Sequence, residues 1–490
     1  MSGSTRFAVA SAHPLSTSAG LEVLRAGGNA YDAALAVSAA LPVVQPHMNG
    51  LGADFFAVIR DGSTVAVNSN GPAGRRVDPE VYRRKRRSRI PARGPLSAIT
   101  VPGLVAAWSY LGERGHLSFR RCLAPAIRLA TRGFPASANL ARAARSVRWG
   151  DRDFQRLYGS LRPGQMLRQP TVGRTLSRLA SDRGHGFYEG PLAREICRDL
   201  RRKGGLLEPT DFAEFRVRVE PPLSIRYRAY RVWTNPPPSQ GATALIWLNL
   251  LARQDLSSLS VPDFLNALER GMRIAYDYRA TEIGDPSVVR FPRALLRPAA
   301  RYRPVSGERR PTRPGNSDTT AFSVYDGRVG ISAIQSNYGG FGSGVVIRGT
   351  GISLNNRGSY FTLEPGHPNV LAPGKRTFHT LMATLVSGPR TVLFGSMGGD
   401  VQPQVNVQVL TRHIDRGESL SEAIRAPRFA YPASIYGTAR LYREPGLPLA
   451  GARILEHRPE VFGHAQGISI GEEVEVGVDP RGDGLLPLNS

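Results

Sequence analysis

The residues that could do chemistry stand at an abrupt boundary. A stretch rich in Pro and Arg, from Arg297 to Asp318, has no apolar periodicity and reads as a flexible connector. It runs directly into TTAFSVYDGRVGISAIQSN, which alternates like a β-hairpin turning at Asp326–Gly327. A connector that ends in Asp-Thr-Thr and opens at once into a strand makes sense if the Asp318–Thr319 bond is a cleavage site. A threonine hydroxyl is a poor nucleophile at neutral pH and needs a base beside it. At a chain terminus Thr319 would carry that base itself, because a free α-amine titrates at about 8 and lies within reach of Oγ. Two threonines opening a strand are also ordinary β-propensity, so the boundary permits this chemistry without requiring it.

Other chemistries lack their residues. Cys122 and Cys197 are far apart, give neither metal-ligand spacing nor a disulfide framework, and read as small buried hydrophobes. The nine histidines occur without paired ligand spacing, so no metal and no cofactor is expected, and His13 and His47 read as hydrogen-bonded structural residues. The formal charge of +25 is almost all Arg, with Lys only at Lys85, Lys203 and Lys375. A basic surface attracts phosphate without sequence preference. Here no helix-turn-helix, zinc finger or aromatic sheet motif accompanies it, and the densest run, Arg83 to Arg93, reads as a solvated loop. No nucleic-acid partner is therefore expected. No segment approaches the roughly 18 apolar residues that span a bilayer. The apolar run Phe7 to Ala12 is too short for a secretory core, so the chain is expected to be cytoplasmic, with no membrane partner.

The elements that must position Thr319 follow from pattern. At 490 residues and 41% hydrophobic, the chain can bury a large core. Ser16, Thr17 and Ser18 offer N-cap oxygens for a helix towards Arg25, stopped by Gly27–Gly28. Asn29 can cap an Ala-dense helix from Tyr31 to Leu41, and the Gly-rich loop after it becomes a strand in DFFAVIRDG. NPPPSQGATALIWLNLL, from Asn235 to Leu251, is a rigid lead into an apolar helix. After the hairpin, strand signals appear at FTLEP, HTLMATLV and RTVLFGSMGG, then helices from about Val401 to Ile414 and Ser419 to Arg425. The class is α+β, with an antiparallel sheet in the second part.

Ordered motifs run the length of the chain. DTTAFSVYDGRVGISAIQSNYGGFGSG resembles the small-subunit start of γ-glutamyltransferases, and HPLSTSAGLEVLRAGGNAYDAALAVSAALPVVQPHMNGLGADFF is similar to that family's opening region. VPGLVAAW, APAIRLATRGF, GFYEG, NPPPSQGAT, GTGISLNNRG, APGKR, GSMGGD, AIRAPRF and DPRGDG follow in the family's order. The resemblance implies an N-terminal-nucleophile hydrolase fold, a four-layer αββα sandwich with two antiparallel sheets between helical layers. It implies a proenzyme cut before Thr319 into a large chain, 1–318, and a small chain, 319–490, which remain together in one domain. It also implies a γ-glutamyl or related acyl-amide substrate, with homo-oligomerisation left open.

Site residues carry over position by position. Gly398 and Gly399 match a Gly pair that stabilises the oxyanion, and Asn337 matches an Asn lining the site. The glutamyl clamp departs from the family. The Arg that holds the α-carboxylate is replaced by Asn68, and the partners of the α-amino group fall at Arg357 and Tyr360. The Ser-Ser pair falls at His379 and Thr380, and a Thr that tunes the nucleophile falls at or near Gln335, with a one-residue slip in the match. An Arg where an ammonium should sit opposes like charges. Arg357 would instead suit a carboxylate or an uncharged acyl group, as in the family's cephalosporin acylases, or be a surface cation of an Arg-rich chain.

Overall fold

The computed structural model describes residues 7–147, 150–302, 317–432, 440–456 and 459–484. Most of the connector, residues 303–316, lies outside them. Two six-stranded sheets organise the chain. The first runs, edge to edge, through Ala8–Ser11, Ser317–Tyr325, Gly330–Gly339, Asp54–Asp61, Ser63–Ser69 and Arg218–Glu220, all antiparallel. The second runs through Val474–Val478, Ala465–Ile470, Thr391–Ser396, Thr384–Ser387, Tyr230–Thr234 and Leu223–Tyr227, also antiparallel. Each sheet draws strands from both sides of position 319.

Three apolar cores show how the sheets are covered. Ala10, Phe56, Val58, Ala321, Ile334, Leu385, Leu393 and Ile468 form the layer contributed by both sheets. The other face of the first sheet, through Phe322, Val324 and Ile331, packs on the helix Ala30–Val44 and its neighbours. The second sheet, through Val386, Val392 and Phe394, packs on the helices Gly241–Leu251, Val261–Glu282 and Gln402–Asp415. Ala30–Val44 is buried throughout. Its alanines admit close neighbours, and each of Leu35, Val37 and Leu41 stabilises the fold by about 2 kcal/mol through burial.

Local chemistry explains most element boundaries. Asn29 caps Ala30–Val44 in a capping box with Asp32. The hairpin turns where expected, with Asp326 Oδ1 accepting the N–H groups of Arg328 and Val329. The first helix departs from expectation. It begins at Pro14, and His13 caps it, its Nδ1 accepting the Leu15 N–H at 3.2 Å. Ser16 and Thr17 lie inside the helix because their hydroxyls join Ser11 in a buried cluster at 2.6 and 2.7 Å. FTLEP is no strand; Thr362 makes an isolated bridge to Val370. His47 differs from the structural reading too, since neither ring nitrogen has a partner. Arg83 to Arg89 are exposed, but Arg93 is half-buried. No described helix is long and apolar enough to cross a membrane.

Candidate active site

Strand alternation aims Thr319. Phe322 and Val324 face the helices, and Ala321 faces the second sheet, so Thr319 turns towards the space between the sheets. Ala321 also marks a close approach, since a Cβ on Gly395 would sit 2.9 Å from its Cβ. Thr319 is 2% exposed, and its Oγ has no hydrogen-bond partner.

Opposite Thr319 the strand pairing slips. Thr320 faces Gln335 and Asp318 faces Tyr338, which leaves Ser336 and Asn337 to share the place across from Thr319. This β-bulge re-aims both side chains. The Ser336 hydroxyl accepts the Tyr338 N–H at 2.7 Å and donates to the Asp318 carbonyl oxygen at 2.7 Å. That carbonyl belongs to the bond preceding Thr319. Gln335 points the other way, accepting from the Ser38 hydroxyl and donating to Asn49 Oδ1 at 2.6 Å. Gln335 therefore faces away from Thr319 and Ser336 faces the Asp318–Thr319 bond, because adjacent strand residues face opposite sides. Asn337 Nδ2 reaches Ser353 Oγ at 3.4 Å, while its Oδ1 is unpartnered.

The Asp318 side chain packs under the turn that follows. A Cβ at Gly340 would lie 2.3 Å from Asp318 Oδ2, so the position needs glycine. Arg93 holds that turn by donating to the carbonyls of Gly340 and Gly342. Burial pushes the Asp318 carboxyl up to about 7, against the pull of Arg93 and with Glu460 adding to the rise.

A second group of side chains adjoins this one across the first sheet. Asp54 lies directly opposite Ser336 in register. It is 1% exposed; its Oδ2 meets His379 Nε2 at 3.0 Å, and its Oδ1 is unpartnered. Burial lifts the Asp54 carboxyl to about 7, opposed by Arg357 and by the N–H groups of Gly103 and Gly71. Burial and Arg357 hold His379 well below the ordinary histidine range. Arg357 is no surface cation. It is 1% exposed, its guanidinium lies 4.3 Å from the Tyr338 ring centroid, and Nη1 donates to Thr380 Oγ1 at 3.1 Å. Its Nε and Nη2 have no partner. Tyr360 stacks on Phe378 and donates to Asp400 Oδ1 at 2.9 Å. Asn68 is committed elsewhere: Nδ2 donates to Pro236 O and Glu220, and Oδ1 accepts from Asn235.

The strand Thr391–Ser396 delivers the third group. It ends in Met397 and then Gly398 and Gly399, whose φ values of 133° and 53° suit glycine. Neither glycine N–H makes a hydrogen bond among the described residues. The turn beyond, Gly399–Val401, lies within 8 Å, Cα to Cα, of the Thr319 strand. Gln240 ties this turn to the second group, its Nε2 donating to Gly399 O at 2.7 Å and Thr380 O at 2.5 Å. Arg279 pairs with Asp400 and bonds Tyr360 Oη at 3.0 Å. The structure thus offers a nucleophile-type hydroxyl, unspent backbone donors on a rigid turn, and a buried cation with free N–H groups.

The profile of the gamma-glutamyltranspeptidase family matches residues 16–486. The chain belongs to the gamma-glutamyltranspeptidase family. It is 36% identical to the glutathione hydrolase-like YwrD proenzyme of Bacillus subtilis, over 98% of each chain. It is also 36% identical to the oxamate amidohydrolase proenzyme of Klebsiella pneumoniae, over 85% of this chain and 83% of the relative. The crystal structure of cephalosporin acylase from Bacillus halodurans superposes with a TM-score of 0.88 and 33% identity, covering 98% of this chain and 95% of that one. This member of the gamma-glutamyltranspeptidase family is accordingly an amide hydrolase or acyl transferase with proenzyme relatives.

Sequence reasoning missed Ser336, Asp54 and Gln240. Asp54 carried a signal, as a lone acid opening the apolar run DFFAVI. Gln240, at the end of NPPPSQG, carried none.

Proposed function

We propose that this enzyme is a self-processing amidohydrolase whose nucleophile is Thr319 and whose acyl pocket accepts a carboxylate-bearing acyl chain without an α-ammonium. In maturation, Thr319 Oγ adds to the Asp318 carbonyl carbon and gives up its proton. The Asp318–Thr319 C–N bond then breaks, its nitrogen takes a proton, and an ester on Oγ remains. Water hydrolyses the ester, leaving the Asp318 α-carboxylate and a Thr319 with free hydroxyl and α-amine. Chains 1–318 and 319–490 stay in one domain, since both sheets take strands from each. The two sheets and their helical covers support the four-layer αββα arrangement of N-terminal-nucleophile hydrolases.

In turnover the α-amine takes the Oγ proton as Oγ attacks the substrate amide, and returns it to the leaving amine. The resulting acyl-enzyme passes its acyl group to water or to another amine. The N–H groups of Gly398 and Gly399 serve the developing oxyanion, a role for which their freedom from other bonds prepares them. Asn337 lines the same space with its free Oδ1.

One observation carries the choice of acyl group. Arg357 is buried with Nε and Nη2 unpartnered, and a buried guanidinium left this way is stable only beside a group that accepts from it. Tyr360, His379 and Thr380 adjoin it without a negative charge, and the neighbouring acid, Asp54, is bonded to His379 and raised to about 7 by burial. Glutaryl-type acyl groups and oxamate, the substrate named for one relative, both carry a carboxylate and no α-ammonium. The test compares purified enzyme on glutaryl-anilide, γ-glutamyl-anilide and oxamate, beside Thr319→Ala. Glutaryl-anilide or oxamate should be turned over faster than γ-glutamyl-anilide, and Thr319→Ala should stay a full-length, inactive chain. Faster γ-glutamyl turnover refutes the head-group reading, and a processed Thr319→Ala refutes the nucleophile.

A further inference from the structure

Arg357 and Asp54 are buried opposite charges that stop short of each other. Arg357 Nε lies 4.0 Å from Asp54 Oδ2, and no hydrogen bond joins them. A buried pair normally closes into direct hydrogen bonds, because that recovers most of its desolvation. Both partners keep atoms without a hydrogen bond, Nε and Nη2 on the guanidinium and Oδ1 on the carboxyl, while Oδ2 is the carboxyl oxygen nearest Nε. Their other atoms are fixed. Arg357 Nη1 is bonded to Thr380, and its plane rests on Tyr338. His379 Nδ1 accepts the Leu381 N–H at 3.2 Å, which places the ring proton on Nε2, donating to Asp54 Oδ2.

This inference rests on the carboxylate reading above. A substrate carboxylate seated on the free N–H groups of Arg357 lands beside Asp54, and two carboxylates sharing a buried site do not both ionise. An ionised Asp54 can only accept, whereas the neutral acid can donate. We propose that Asp54 is a specificity-determining residue that donates a proton-bearing Oδ1 to the substrate carboxylate while Arg357 holds it from the other side, so that each acyl donor binds together with one proton. The proton comes from solvent and returns to it when the acyl group leaves.

The surroundings of Asp54 are consistent with this proton linkage. Arg357 faces it from the turn Arg357–Tyr360, and His379 from the segment before Thr384. The backbone N–H groups of Gly71 and Gly103 point at it from the adjoining loops. Tyr188 feels its charge but spends its hydroxyl on Pro102 O. Beyond Arg357 stand Tyr338, Tyr360 and Asp400. His379 is held neutral by burial, so it does not compensate a second negative charge. The Asp54 carboxyl already stands at about 7, so a bound carboxylate needs only to retain a proton that is half present at neutral pH.

The experiment measures KM and kcat for glutaryl-anilide from pH 6 to 9, beside the same anilide with a neutral terminal carboxamide. The α-amine of Thr319 titrates for both substrates alike, so the ratio of their KM values isolates the head group. The expected KM for glutaryl-anilide rises about tenfold per pH unit above 7, while that of the carboxamide stays flat. Asp54→Asn keeps a neutral donor, so its glutaryl KM should be flat and, at pH 8.5, lower than that of the native enzyme. A flat glutaryl KM in the active native enzyme overturns the role of Asp54 and leaves the carboxylate reading standing. An equal change in both KM values on Asp54→Asn overturns it as well, by making the residue merely structural. If γ-glutamyl-anilide is preferred and Asp54→Asn abolishes that preference, both readings fall and Asp54 is the partner of an ammonium. The native-enzyme comparison decides the matter even if the variant does not fold.

Discussion

Ser336→Ala separates assembly of the scissile bond from assembly of the fold. Ser336 makes two bonds of 2.7 Å, accepting from the Tyr338 N–H and donating to the Asp318 carbonyl. The first belongs to the bulge, and losing it orphans one N–H at a cost of about 1 kcal/mol in stability. The second points at the atom that would become an oxyanion in the proposed maturation, when Thr319 Oγ adds to the carbon. Removing one donor of that kind typically costs about 3 kcal/mol of transition-state stabilisation, or roughly a hundredfold in rate. The assay follows freshly purified precursor on a denaturing gel, beside a thermal melt. Precursor should disappear about a hundred times more slowly than in the native chain, with a melt shifted by only a few degrees. Ser336→Thr keeps the hydroxyl and should restore processing to within about tenfold. Processing of Ser336→Ala within about threefold of native refutes the assignment. So does slow processing that comes with collapse of the melt, since the variant would then report the bulge alone.

Two further substitutions probe the supports of the site. Gln240→Ala removes the link between Gly399 O and Thr380 O, so kcat should fall about tenfold, more than KM rises, as steady-state kinetics will show. Asp479 is bonded to Arg428 at 2.6 Å and Arg481 at 3.1 Å. Burial alone would raise its carboxyl, but Arg428 and Arg481 hold it below the ordinary range. A lowered folded value means stabilisation present above the unfolded value and lost as pH falls through the folded one. Asp479→Asn should therefore cost about 3 kcal/mol at pH 7, and the gap in melting temperature should close towards pH 3.

What the sequence discloses here is what short-range chemistry decides. The Ser317–Tyr325 and Gly330–Gly339 hairpin is legible because alternation and an Asp-Gly turn specify it within one contiguous stretch. Asn29 is legible as a cap for the same reason. The first helix is misread because His13 caps it, while the hydroxyls of Ser16 and Thr17 are taken up by Ser11 in the preceding strand, five and six residues away. FTLEP alternates but finds one bridge and no neighbouring strand. Gln335 and Ser336 differ by one position, and a bulge decides which faces Thr319. Asp54 and Arg357 are separated by some three hundred residues of chain, so their juxtaposition is invisible until the Asn355–Asn356 turn is docked. Asn355 Nδ2 does that docking, donating to Gly52 O at 2.9 Å.

Polar atoms without a hydrogen bond gather at the site, although others, such as Trp247 Nε1, His464 Nε2 and Gln466 Oε1, lie elsewhere in the interior. Asn68, Asn235, Asn355, Asn356 and Gln335 are all buried, and each is bonded internally through both its amide oxygen and its amide nitrogen. Thr319 Oγ, Asn337 Oδ1, Asp54 Oδ1 and Arg357 Nε and Nη2 are as deeply buried and have no partner. Each such atom costs about 1–3 kcal/mol, more where charge is involved, and a chain that satisfies its neighbours could have satisfied these too. They stand on three neighbouring strands and the turn above them. In the proposed reaction a substrate amide brings a carbonyl to Thr319 and an acyl head to Arg357. Pairing these atoms with the substrate would offset part of that cost and so favour binding.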